Sequence, residues 1–71
     1  MKYDYSKLHM EIINQFYTVE IFAEAMGTTA AHVFDLLSGV AEWTQAEIDL
    51  AAVKLDIHPV LIPVYFFHVA A

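Results

Sequence analysis

The sequence predicts an all-α fold organised around two short helices joined by a tight turn, and three observations predict it. First, the stretch TVEIFAEAMGTTAAHVFDLLSG, Thr18 to Gly39, carries a start and a stop signal for each helix. Thr18, and then Thr28 or Thr29, offer side-chain oxygens to the free N–H groups of a first turn, while Gly27 and Gly39 supply left-handed residues where each helix must end. Second, apolar residues recur at helical spacing: Ile21, Phe22 and Ala25 in one helix, Val33 and Leu37 in the next. Third, Thr44-Gln45-Ala46-Glu47 is a capping box just before an apolar run. Helix, turn and helix in this order are helix-turn-helix grammar.

Taken in order, Ser6, or Asp4 before it, caps a first helix whose Leu8, Ile12 and Phe16 form a core face. Tyr17 and Phe22 bracket the Thr18 cap as a hydrophobic staple that sets the angle of the second helix. The third helix runs from about Thr29 to Ser38. The fourth runs from Gln45 to about Leu55, with Trp43 and Ile48 as its staple and Ile48, Ala51, Ala52 and Leu55 facing the core. Asp56-Ile57-His58-Pro59 breaks it, Pro59 suits the first turn of a short fifth helix, and Pro63 limits or kinks that helix before Val64-Tyr65-Phe66-Phe67. Met10 and Met26 read as gap-fillers in the core.

Composition then narrows the function. Seventy-one residues give room for one small domain, residues 1–71, that buries only part of its surface. The absence of cysteine removes disulfides and thiolate metal sites. A formal net charge of −6, with three lysines and no arginine, opposes the field of a polyphosphate, so DNA is an unlikely partner. The helix that would lie in a major groove, AAHVFDLL, has no basic residue and one acidic one. Hydrophobic residues make up 59% of the chain, more apolar side chain than a small core hides. The longest apolar region, 57–71, is broken by His58, Pro59, Pro63 and His68, and MKYDYSKLHM lacks a signal-peptide core; a soluble, cytoplasmic protein off the membrane is expected.

Chemistry-bearing groups are dispersed. His9, His32, His58 and His68 show no ligand spacing, so no metal is expected. Glu11, Glu20, Glu24, Glu42, Glu47 and Asp49 are scattered over helical surfaces, Ser6 and Ser38 are cap and turn residues, and no glycine-rich phosphate loop is present. Neither catalysis nor a cofactor is expected.

Six segments resemble one known family: YDYSKL at Tyr3 to Leu8, FAEAMG at Phe22 to Gly27, LLSG at Leu36 to Gly39, WTQAEI at Trp43 to Ile48, LDI at Leu55 to Ile57, and IPVYFF at Ile62 to Phe67. Together they are similar to the small helical domains of temperate-phage repressors and Cro-like regulators, near the short regulator or antirepressor proteins of Gram-positive phages. The resemblance implies a five-helix, lambda-repressor-like helix-turn-helix domain. It also implies that positions matching Ala30, Ala31, Phe34 and Asp35 face DNA in that family, with basic residues near Val40 to Glu42 holding phosphates. This chain departs from the pattern at each of those positions.

The departures share a direction. Phe34, Leu36, Val40, Leu50, Val53, Val60, Leu61 and Val64 are apolar where similar proteins carry polar or charged residues. With Val33 and Leu37 inward, Ala30, Ala31 and Phe34 form an outward stripe, and Leu50 and Val53 line a neighbouring face of the fourth helix. The expectation is a protein-binding surface made of Ala30, Ala31, Phe34, Leu50, Val53, Val60, Leu61 and Val64. The alternative is irregular packing that buries some of them. The partner is another protein, either a repressor masked by an antirepressor or the target of a re-engineered surface, or a second copy of the chain. A DNA-binding, dimeric Cro-like transcriptional regulator is the competing reading.

Overall fold

In the computed structural model, which describes residues 3–69, the chain forms five α-helices and one 3₁₀ turn: α1 (Ser6–Phe16), α2 (Val19–Met26), α3 (Ala30–Ser38), α4 (Gln45–Lys54), the turn Pro59–Leu61, and α5 (Ile62–Phe66). No strand occurs among the described residues. The local signals act where the sequence puts them. Thr18 Oγ1 accepts from the Ile21 N–H (3.2 Å), Thr29 Oγ1 from the His32 N–H (3.2 Å), and Thr44 Oγ1 from the Glu47 N–H (3.1 Å). The Glu47 carboxylate accepts in return from the Thr44 N–H at 2.9 Å, which completes the capping box. Gly27 (φ 75°) and Gly39 (φ 84°) end α2 and α3 in the left-handed region that glycine adopts without a Cβ clash. At α1 Ser6 is the first helical residue rather than the cap: Tyr5 holds the cap position without a side-chain bond, and the Asp4 carboxylate accepts from both the backbone N–H and the hydroxyl of Ser6.

Leu8 and Ile12 of α1, Phe22 of α2, Val33 of α3, Ala51 of α4 and Phe66 of α5 meet in the core, where each large side chain contributes about 1.5–3 kcal/mol by leaving water. Trp43 packs edge-on against Phe66 (5.0 Å between ring centroids) and leans towards Tyr5 (6.3 Å), joining the start of α4 to both ends of the described chain. Gln15 Nε2 donates to the carbonyl of Leu55 at 2.7 Å, so α1 satisfies one of the carbonyls left open at the end of α4.

Several expectations are corrected by packing. Tyr17 is no staple: it is 80% exposed, and Phe16 takes its place against Phe22 at 5.4 Å. The cause lies in the backbone, since Tyr17 has φ 70° and the Thr18 N–H reaches the Phe16 carbonyl (2.8 Å), a γ-turn that swings the ring into solvent. In α2 the buried side chains are Val19, Phe22 and Ala23, while Ile21 is exposed and Ala25 only partly covered. Leu36, read from the sequence among the outlying apolar residues, is buried. Met10 is 66% exposed rather than a core filler, whereas Met26 does pack on the core. Pro63 neither limits nor kinks the last helix; it sits in the first turn of α5, where its missing N–H costs nothing. The sequence also gives no sign that the chain ends meet: the Asp4 N–H donates to the His68 carbonyl (2.6 Å), and Tyr3 bridges Val69.

Candidate functional site

α3 buries Val33 and Leu36 and half-buries Leu37, which leaves Ala31, Phe34, Asp35 and Ser38 pointing outward. Phe34 is 46% exposed, a large aromatic on a free face. Ala30 departs from the expected stripe because it lies one turn before Val33, on the side that packs against the core.

On α4 the core face of Ile48, Ala51, Ala52 and Leu55 turns Leu50 and Val53 outward, and Val53 is 75% exposed. Beyond α4, Asp56 adopts φ 54° and redirects the chain. His58 Nδ1 then accepts from the Val60 N–H (3.2 Å) and caps the 3₁₀ turn, so that Val60, Leu61 and Val64 are presented to solvent on successive turns. Between α4 and this turn lies a hollow of about 670 Å³ lined by Ala52, Val53, Ile57, Pro59 and Ile62, with Asp49, Asp56 and His58 at its edge. Of the predicted residues the structure thus brings Val53 together with the 3₁₀ turn. Phe34 stands on a different helix, and the polar tie between α3 and α4 is His32 Nε2 to Glu47 Oε2, at 2.6 Å.

The electrostatics are acidic. Glu47 is held below the usual carboxylate range by the Thr44 backbone N–H first, with His32 and the Thr44 hydroxyl adding to it against the opposing effect of burial. Asp4 is lowered by its bonds from Ser6. The described cations do not gather near α3: Lys7 stacks over Tyr65 (5.5 Å to the ring centroid) and Lys54 closes the last turn of α4, while Lys2 lies outside the described residues. The described residues contain no group of three side chains that could hold a metal ion, and no helix long and apolar enough to cross a membrane.

Sequence reasoning missed one apolar face. Met10 and Ile13 are exposed on α1, where with His9 and Asn14 they line a hollow of about 340 Å³, and Tyr17 is exposed just past the end of the helix. The i, i+3 spacing of Met10 and Ile13 was the available signal: α1 has apolar residues on two sides, and only the stripe through Leu8, Ile12 and Phe16 faces the core.

A family model described as "Protein of unknown function (DUF739)" matches residues 1–69. Among solved structures, the chain is similar to the modulator of repression of the temperate bacteriophage TP901-1 from Lactococcus lactis, determined in solution. The two share 36% identity with a TM-score of 0.74, over 94% of this chain and 90% of that one. No curated protein sequence matches the chain.

Proposed function

The chain belongs to the DUF739 family, and from that premise we propose that it is a phage regulator that works by binding a protein, namely a repressor whose DNA-binding face it masks. One observation carries this reading: the relationship to a phage modulator of repression extends along nearly the whole chain. That relationship supports a natural regulator over a re-engineered surface. The chemistry of the surface supports a protein partner over DNA, because the outward face of α3 offers Phe34 and Asp35 where groove binding calls for lysine and arginine. A Cro-like DNA binder lacks its phosphate contacts here. The binding residues are Ala31, Phe34, Leu50, Val53, Val60, Leu61 and Val64, exposed on α3, α4, the 3₁₀ turn and α5. The protein acts in the cytoplasm, where the repressor is.

The test is a gel shift with the DNA-binding domain of a temperate-phage repressor and its operator duplex. Added protein should release the operator without shifting the duplex itself. A shift of the duplex by this protein alone at micromolar concentration, weakening with salt, would revive the DNA-binding reading. An operator complex unchanged by excess protein would remove the repressor as partner.

A further inference from the structure

We propose that the hollow between α4 and the 3₁₀ turn is an anchor site that takes one apolar side chain from a partner segment carrying lysine or arginine on either side of it. This rests on the protein-binding reading above and names the chemistry of the partner at that surface. The floor is apolar, since Ala52 and Ile57 are buried and Ile62 packs on the core, and Val53 and Pro59 form exposed apolar walls. Both charged residues at the rim are acids. Asp49 receives one bond, from Gln45 Nε2 at 2.9 Å, and among the described residues neither Asp49 nor Asp56 has a cation within salt-bridge distance. The chain as a whole carries −6, so a basic segment is drawn to this rim and a phosphate is repelled.

Asp56 adds an independent argument. It follows the C-terminal end of α4, where the open carbonyls already make the potential negative, so a carboxylate there is unfavourable for the helix. Its φ of 54° is the conformation that glycine or asparagine fills without that charge. The fold therefore keeps an acid where an uncharged residue would suit it better. A cation on the partner, pairing with Asp56 across the hollow, supplies the missing compensation. A second copy of this chain is a poor occupant, because it brings only three lysines to the same acidic field.

Calorimetric titration of the full chain against the DNA-binding domain of its repressor, at low and moderate salt, tests this with Asp49→Asn/Asp56→Asn, Val53→Ser and wild type. The asparagines keep shape and backbone preference, so the melting temperature of the double variant should hold or rise. Its affinity should fall roughly threefold to tenfold at low salt, with a shallower salt dependence, as expected for two lost rim pairs. Val53→Ser should weaken binding without flattening the salt dependence. Wild-type binding that the double variant leaves unchanged in strength and salt dependence would overturn the anchor site while keeping the protein-binding reading. No wild-type binding would overturn that reading and the anchor site with it. Concentration-dependent dimers that Val53→Ser abolishes would assign the hollow to self-association and overturn the proposal.

Discussion

The molecule presents two apolar faces that differ in what holds them. Met10 and Ile13 lie on the side of α1 that the core does not use, and Tyr17, exposed just past the helix end, sits in a γ-turn. Leu50, Val53, Val60, Leu61 and Val64 are exposed on a helix with a complete capping box, on a histidine-capped turn and on α5, and Val53 lines an acid-edged hollow. Uncharged and strained on one side, capped and acidic on the other, the pair teaches that exposure of apolar area alone is a weak guide. A face with fixed helix ends and directional charge can specify a partner, whereas an unmarked stripe offers only area.

The largest effect comes from removing a side chain that helps orient both regions. Trp43 contacts Phe66 of α5 and stands beside Tyr5 at the start of α1. Trp43→Ala should destabilise the domain by about 3 kcal/mol, lowering the melting temperature by roughly 10–20 °C. An unchanged melt would mean that the capping box and the core face of Ile48, Ala51, Ala52 and Leu55 hold α4 without Trp43. The next largest effect concerns Phe34. Truncation to alanine should weaken repressor binding by about 2 kcal/mol or more, as for a buried aromatic anchor, with folding stability changed by less than about 1 kcal/mol. Intact folding with undiminished binding would move the interface wholly onto α4 and the 3₁₀ turn. Loss of fold would show that Phe34 supports α3 from within.

The caps were legible because each is a contact across three residues: Thr18 to Ile21, Thr29 to His32 and Thr44 to Glu47 are visible in any window containing both partners. The outward positions of Leu50 and Val53 followed in the same way, from the phase of a helix whose core residues were correctly identified. What was not legible depends on contacts distant in sequence. Gln15 finds Leu55, and Asp4 finds His68, across most of the chain. The hollow, too, lies where the chain turns at Asp56, whose left-handed conformation its residue type permits but does not announce. Leu36 and Ala30 are a different case: Ala30, Val33 and Leu37 stand at i, i+3 and i+7 and Leu36 one turn after Val33, so their inward turn was present in the helix phase and was overlooked.

A smaller change is expected on the α1 side. Tyr17 holds a positive φ with its ring in water, so its Cβ costs conformational energy and its side chain returns little packing. Tyr17→Gly removes that cost, partly offset by the greater freedom of glycine in the unfolded chain, and should stabilise the domain by up to about 1 kcal/mol in denaturant titration. Repressor binding should stay as it is. Weakened binding with unchanged or improved folding would place the α1 face in the interface and remove the distinction between the two faces.

The smallest expected effect is a pH dependence on the α4 side. Glu47 closes the capping box through the Thr44 N–H and reaches His32 on α3 through its other oxygen, so its charged form is favoured in the folded chain and its pKa lies below the ordinary carboxylate value. A carboxylate with a depressed folded pKa contributes stability that is fully present above its unfolded pKa and disappears as pH falls through the folded one. Melting temperatures recorded from pH 7 downward should therefore drop more steeply for the wild type than for Glu47→Gln, with the two curves converging once Glu47 is protonated. Glutamine still accepts the Thr44 N–H bond, so the capping geometry survives and the comparison isolates the charge. Parallel curves over the whole acid range would mean that the carboxylate gains nothing from its partners, and that α3 and α4 are held together by packing alone.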